Sequence, residues 1–372
     1  MVLLHHLCLR EGNAFYYVER CKQIKAMSAR THIRKPPEKR AAIDIGSNSV
    51  KLLIARVRDK NVSPIVEKST QTRLNKGLRE GGDFDSASVR STLRVLRGYI
   101  ELCIQHQTLP PLLFATSAAR NASLKSLQNL LQPLWKEFGL SIQVISPLQE
   151  AKWALRGVCV ERDLQDTPVL LTDVGGGSAQ FIIGKKGKLI WSRSRQLGAV
   201  HLLESFSVSD PPTFTEKSEL LAHVRKVISE LRSEIEADEA IKKAIPDFSF
   251  ESLRWIGSGG AATILASMHL GLSRFNSAKL EGCCLSSADI QKWADRIWSL
   301  TLVDRKLLPG LPSGRADITL SGAAVYLAVM QVFAFSGLTI TTRGGCHGAV
   351  LSSTPVDAAD KGWLVSEERA LN

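Results

Sequence analysis

The chain has 372 residues and a formal net charge of +12, with 44% hydrophobic and 23% charged residues. These values are ordinary for folded proteins, so they exclude general disorder, and the length suggests two domains. No stretch of about 18 apolar residues occurs, which argues against a membrane-spanning helix. The seven cysteines form no CxxC motif, which excludes a disulfide framework and the usual zinc spacings and is typical of a reducing cytoplasm.

A basic segment precedes the first apolar pattern. Residues 1–40 contain nine Lys or Arg and three Asp or Glu, so they carry half of the net positive charge. Residues 30–40 show no apolar periodicity, and we therefore expect 1–40 to be a disordered basic arm. The arm has no long apolar region of the kind a signal peptide needs. Because no basic motif is interleaved with aromatic residues, nucleic acid is not an expected partner.

Alternating strands and helices are predicted after the arm. Apolar runs predict strands at 41–45 and 50–57, joined by the turn Gly46-Ser47-Asn48-Ser49 as a β-hairpin. Leu93, Leu96 and Ile100 recur at helical spacing and predict a helix over 86–106. The next predicted elements are a strand at 112–115, a helix ending near 138, a strand at 142–145 and a helix at 149–158.

The pattern then restarts. Val169–Asp173 is an apolar run ending in Asp, and it is followed by Val174, three glycines and Ser178. Asp44 stands at the same place in the first hairpin, 129 positions earlier. We interpret this as an internal duplication with one copy per domain, at 41–165 and 166–348, and expect 349–372 to pack back on the first domain. Later predicted elements are helices at 215–238, 260–270, 287–300 and 316–334, and strands at 253–256 and 338–341.

Both Gly-rich turns are candidate phosphate-binding loops. Such turns point several backbone N–H groups into one space, and glycine lets an anion approach closely. The candidate phosphate-binding residues are Gly46, Ser47, Asn48, Ser49, Gly175, Gly176, Gly177 and Ser178, with Ser258 and Gly259 of a third loop that opens a helix. A carboxylate beside phosphate usually implies Mg²⁺, so Asp44 and Asp173 are candidate metal ligands. The alternative is two structural hairpins in which the Asp side chains make turn hydrogen bonds.

Several segments in this order resemble the exopolyphosphatase and guanosine pentaphosphate phosphatase family of the actin-like superfamily. They include both Asp-x-Gly loops, Ala115-Thr116-Ser117-Ala118-Ala119-Arg120, Ile145-Ser146-Pro147-Leu148-Gln149-Glu150, Leu197-Gly198-Ala199-Val200 and Gly257-Ser258-Gly259-Gly260. The resemblance implies an α/β fold of two duplicated actin-like, ribonuclease H-like domains, with mixed sheets flanked by helices and a cleft between the domains. The chain resembles the short form of the family, and homodimers are common in the family as a whole.

The resemblance also implies an activity. It is Mg²⁺-assisted hydrolysis of a phosphoanhydride, with Glu150 as general base, Arg120 neutralising the phosphoryl oxygens and Gln180 orienting the water. The family usually has Glu at position 180, and Gln can orient water but cannot act as a base. Near the C-terminus Cys346 and His347 replace the usual Arg-Glu. Three functions remain open: exopolyphosphatase, guanosine pentaphosphate phosphohydrolase, and a non-catalytic polyphosphate-binding sensor.

Overall fold

The protein is described by a computed structural model that covers residues 38–58, 61–159 and 167–352. It divides into two compact units, Met1–Glu150 with Cys346–Asn372 (unit 1) and Ala151–Gly345 (unit 2). Residues 1–37 of the expected arm and 353–372 of the expected C-terminal segment lie outside the described residues. The domain limits 41–165 and 166–348 stay a prediction.

Unit 1 is built on a mixed sheet of five strands in the order β3-β2-β1-β4-β5. The first three strands pair antiparallel, and β1 pairs parallel with β4, which pairs parallel with β5. The strands are β1 (Glu38–Ile45), β2 (Ser49–Arg58), β3 (Asn61–Gln71), β4 (Leu112–Ala115) and β5 (Ile142–Val144). The predicted hairpin is therefore present, and it begins at Glu38, so the last three residues of the expected arm belong to β1.

Helices flank this sheet, and apolar residues of the first three pack into the unit 1 core. They are α1 (Ser86–Gln105), α2 (Ser117–Asn121), α3 (Leu124–Phe138), the start of α4 (Pro147–Val158) and the end of α13 (Gly345–Val350). Asp85 caps α1 by accepting from the backbone N–H of Ser88 at 2.8 Å. Leu96 and Ile100 on α1 are fully buried in the core, as their spacing predicts.

Unit 2 repeats this arrangement and adds one strand. Its sheet has the order β10-β11-β9-β6-β7-β8, so β8-β7-β6-β9-β11 corresponds to β3-β2-β1-β4-β5 of unit 1. The strands are β6 (Val169–Val174), β7 (Ala179–Lys185), β8 (Lys188–Arg195), β9 (Arg254–Ser258), β10 (Cys284–Ser286) and β11 (Gly337–Ile340). The duplication inferred from the two Asp-x-Gly turns thus extends to the strand order of both sheets.

Helices cover both faces of the unit 2 sheet. They are α5 (Ala199–Ser205), α6 (Phe214–Ala237), α7 (Glu239–Ala244), α8 (Gly259–His269), α9 (Ser277–Leu280), α10 (Ser287–Ser299), α11 (Leu302–Arg305) and α12 (Thr319–Phe333). One face forms a large core with α6, α8, α10 and α12. On the other face Leu155 of α4 packs against Leu171 and Ile182 in a smaller core. Within the described ranges, no helix has both the length and the apolar character to cross a membrane.

Candidate phosphate-binding and catalytic site

The first candidate loop is held by its carbonyl groups. The N–H of Gly46 donates to the carbonyl of Ser49 at 3.1 Å, and the carbonyls of Ser47 and Asn48 accept from backbone N–H groups of residues 72–75. Because a trans peptide directs its C=O and N–H in opposite directions, the N–H groups of Asn48 and Ser49 point away from that segment. This orientation is the one that anion binding by a backbone loop requires.

The loop also contacts the helix that carries Arg120. Ser47 Oγ lies 2.8 Å from Ser117 Oγ, at the first residue of α2. The side chains of Ser47, Asn48 and Ser49 are all buried. Their contribution to phosphate binding stays a prediction.

The second candidate loop has the same construction. Gly175 donates to the carbonyl of Ser178 at 2.9 Å, the equivalent of the Gly46 bond. The carbonyls of Gly175 and Gly176 accept from N–H groups at the start of α5, so the N–H groups of Gly176 and Gly177 point away from that helix. A side chain on Gly198 would collide with the backbone of residues 176–178, which explains why glycine precedes α5.

In unit 2 a third loop lies beside the side chain of an arginine. Ser258 is the N-cap of α8, and its side chain makes no capping hydrogen bond. Gly259, with a φ of +82°, lies against the carboxylate of Asp173, and Gly260 lies against Nη1 of Arg315. Burial lowers the pKa of Arg315 from its usual value. A guanidinium beside a helix N-terminus favours an anion, a role for Arg315 that was not predicted from the sequence.

Asp173 lies in a row of polar side chains. It pairs across the sheet with Gln180 on β7 and with Ser258 on β9, and directly paired residues project from the same face. Gln180 is 4% exposed and Ser258 is fully buried, and neither amide atom of Gln180 nor the hydroxyl of Ser258 has a hydrogen-bond partner. We call Ser258, Asp173 and Gln180 the unit 2 row.

Tyr326 of α12 makes hydrogen bonds to two of the strands that carry this row. Its hydroxyl lies 3.1 Å from the carbonyl oxygen of Thr172 and 3.0 Å from that of Ser258, so it bridges β6 and β9 beside Asp173. Burial raises the pKa of Tyr326 well above its usual value, and the charge of Asp173 adds to this effect. Tyr326 thus stays a hydrogen-bond donor, and it is a second residue that sequence reasoning missed.

The equivalent carboxylate of unit 1 has a different neighbour. Asp44 pairs across the hairpin with Lys51, and the Lys51 ammonium lies 3.8 Å from its carboxylate. Cys346 lies in the same region, where burial and the charge of Asp44 raise the pKa of its thiol far above the usual value. The two duplicated Asp residues therefore share a backbone position but not an electrostatic environment.

Arg120 and Glu150 are brought together in unit 1. Nη1 of Arg120 donates to Oε2 of Glu150 at 3.0 Å and to the carbonyl of Ile145 at 2.8 Å. The predicted base and the predicted phosphate-binding cation are therefore direct neighbours. Both bonds use Nη1, whereas a guanidinium has five N–H donors, so Arg120 can bind phosphate oxygens while it keeps its bond to Glu150.

A divalent cation fits unit 2 better than unit 1. Among the described residues no group of three or more His, Cys, Asp or Glu side chains could hold a metal ion. The unit 2 row nevertheless combines one carboxylate with an amide oxygen and a hydroxyl that lack partners, and Mg²⁺ takes such oxygen ligands. Asp44 is already paired with an ammonium group, which opposes a second cation at that carboxylate.

Comparison with known proteins places the chain in a family. Residues 53–356 match the model of the Ppx/GppA phosphatase family. Exopolyphosphatase 2 of Mycobacterium tuberculosis is 28% identical over 298 residues, which cover 77% of this chain and 88% of that protein. A bifunctional 3-dehydroquinate synthase/phosphatase of Fusobacterium nucleatum is 25% identical, with 84% of this chain and 46% of that protein covered.

Solved structures show the same architecture. The Ppx/GppA family member of Aquifex aeolicus is 28% identical, with a TM-score of 0.69 over 85% of this chain and 97% of that one. An exopolyphosphatase from Cytophaga hutchinsonii superposes with a TM-score of 0.73 at 24% identity, over 84% and 96% of the two chains. The predicted class, two actin-like domains with mixed sheets flanked by helices, is thus confirmed. The chain belongs to the Ppx/GppA phosphatase family, and with it to the phosphoanhydride hydrolases.

Proposed function

We propose that this protein is an exopolyphosphatase that removes the terminal phosphate of inorganic polyphosphate. The contact between Arg120 and Glu150 is the observation that carries this proposal, because it joins a base to a phosphate-binding cation at 3.0 Å. The two loops with anchored carbonyls supply N–H donors for further phosphates. The exopolyphosphatase names of the relatives support the choice of substrate.

In the proposed reaction Glu150 accepts a proton from a water molecule as its oxygen attacks the terminal phosphorus. The bond from that phosphorus to the bridging oxygen breaks, and the shortened chain leaves with the bridging oxygen. Arg120 stabilises the charge on the phosphoryl oxygens, and Gln180 orients water through its amide. Asp173 would hold Mg²⁺, which neutralises phosphate charge when bound. Asp44 stays a weaker candidate ligand because of Lys51.

The test is phosphate release by the purified protein with Mg²⁺. Long polyphosphate, short polyphosphate and guanosine pentaphosphate are assayed side by side with the Glu150→Gln variant. We expect release from polyphosphate to fall about 100- to 10,000-fold in the variant, the usual contribution of a general base, with polyphosphate binding retained. Glu137→Gln is the matched control, because it removes another Arg–Glu pair of unit 1, that of Arg97 and Glu137 at 2.8 Å.

Each alternative has its own outcome. Unchanged turnover in Glu150→Gln would contradict the role of Glu150. Faster release from guanosine pentaphosphate than from either polyphosphate would favour the nucleotide phosphatase. Binding of polyphosphate without release would favour the sensor, for which Gln180 and His347, each in place of the usual Glu, are the supporting features. Sedimentation of the same sample tests the expected homodimer.

A further inference from the structure

The unit 2 row has polar atoms that the protein itself leaves unsatisfied. Oε1 and Nε2 of Gln180 and Oγ of Ser258 are buried without a hydrogen-bond partner. Leaving a buried polar group unpaired costs about 1–3 kcal/mol, and most such groups in folded proteins are paired with protein, water or a ligand. Three such atoms flank one carboxylate, so a polar ligand in this row would satisfy groups that the protein itself leaves unpaired.

The side chain of Ser258 does not cap the helix that follows it. A serine at an N-cap normally accepts from a backbone N–H of the first turn, but Ser258 makes no such bond at the start of α8. Its direct pairing with Asp173 places it on the same face as that carboxylate. Neighbouring strands are about 4.8 Å apart, so one hydrated cation can span the row.

The candidate site residues offer few carboxylates that are not already paired with a basic side chain. The carboxylate of Glu150 is paired with Arg120 and that of Asp44 with Lys51. Asp173 is left as a single carboxylate between two neutral side chains. Mg²⁺ dehydrates reluctantly and is usually held by one or two carboxylates together with substrate phosphates.

We propose that the unit 2 row binds a divalent cation only together with a phosphate chain, with Ser258 and Gln180 as oxygen donors beside Asp173. The cation then enters as a complex with the substrate, and the free protein has little affinity for it. Gln180 in place of Glu is the cause of this dependence, since a second carboxylate in the row would attract the cation by itself. The inference rests on the proposed function in that the bound chain is a polyphosphate.

The experiment measures Mn²⁺ binding by electron paramagnetic resonance, with and without imidodiphosphate as a phosphate probe that is not hydrolysed. Binding of Mn²⁺ by imidodiphosphate in buffer is subtracted. We expect no saturable binding to the wild-type protein alone and saturable binding when imidodiphosphate is present. Ser258→Ala should weaken binding of the complex about tenfold, which corresponds to about 1.4 kcal/mol.

Two further variants sharpen the test. Ser194→Ala is the matched control, because Ser194 pairs with Gln180 one strand further from Asp173, and we expect it to bind the complex like the wild type. Gln180→Glu should bind Mn²⁺ without imidodiphosphate. Should Ser258→Ala fail to fold, the Gln180→Glu comparison still decides.

The outcomes separate this inference from the proposed function. Tight Mn²⁺ binding to the wild-type protein alone would overturn the inference even if polyphosphate is hydrolysed, and so would equal binding by Ser258→Ala and Ser194→Ala. Phosphate-dependent Mn²⁺ binding without any release from polyphosphate would leave the inference standing and remove the exopolyphosphatase.

Discussion

Replacing Gly198 by alanine should disrupt the second phosphate loop. Gly198 has an extended backbone, with φ −69° and ψ 148°, that any residue can adopt, so the substitution causes no backbone strain of its own. The added Cβ would instead overlap the carbonyl oxygen of Gly176, the carbonyl carbon of Gly177 and the nitrogen of Ser178. All three are backbone atoms, which cannot move aside by changing a rotamer.

The magnitude follows from the same contacts. Overpacking a close-packed site typically costs 1–3 kcal/mol, and a backbone obstacle places Gly198→Ala at about 3 kcal/mol, the upper end of that range. The melting temperature should then fall by about 6–12 °C, at about 2–4 °C per kcal/mol for a unit of this size. Phosphate release should fall about 100-fold, because a shift of about 1 Å in the positioning of substrate can cost that much.

Gly98→Ala is the matched control for this experiment. Gly98 lies inside α1, and nothing lies within 4 Å of the position that its Cβ would occupy. The same chemical change should therefore stabilise the protein by about 0.5–1 kcal/mol, the usual helix preference for alanine over glycine. Thermal melting and phosphate release are measured on both variants. Equal melting temperatures, or full activity in Gly198→Ala, would refute the argument that this glycine holds the loop.

The remaining predictions concern Tyr326 and Glu216. Tyr326→Phe removes the hydroxyl between the carbonyls of Thr172 and Ser258. The free energy of unfolding should fall by about 1–2 kcal/mol, measured by urea unfolding with an unchanged slope. An unchanged free energy of unfolding would show that this bridge does not stabilise the protein. Glu216 accepts from the backbone N–H of Thr213, which lowers its pKa from 4.5 to about 2. Its stabilising contribution should be complete above pH 4.5 and lost as the pH falls towards 2, so melting of Glu216→Gln should lack this acid-dependent component.

The parts of the fold that the sequence predicts are those with a strong local pattern. The hairpin turns were recognisable because an apolar strand, an Asp and a Gly recur in one order, and the α1 stripe because its leucines lie at helical spacing. The edge strands β3 and β8 were not predicted. β3 alternates little between buried and exposed residues, since an edge strand has solvent along one side and accepts polar residues at most positions.

Arg315 and Tyr326 could not be predicted from the sequence for another reason. Arg315 lies in the segment after α11, and its contact with Gly260 joins positions 55 residues apart. Tyr326 lies in a helix that is buried along nearly all of its length, where an aromatic residue reads as ordinary core. In both cases the functional information is a tertiary contact, which neither periodicity nor turn chemistry encodes.

The two duplicated hairpins have the same motif but different residues paired with its Asp. The repeated Asp-x-Gly turn predicts the same role for Asp44 and Asp173, and the two residues occupy equivalent positions in their hairpins. The difference lies in the residue directly across each hairpin, Lys51 in one unit and Gln180 in the other. Both partners lie seven positions after their Asp, so the pairing follows once the turn is known. The ammonium group of Lys51 lies 3.8 Å from Asp44, whereas the residue across from Asp173 is neutral, and for this reason we expect the proposed metal ion in unit 2 rather than in unit 1.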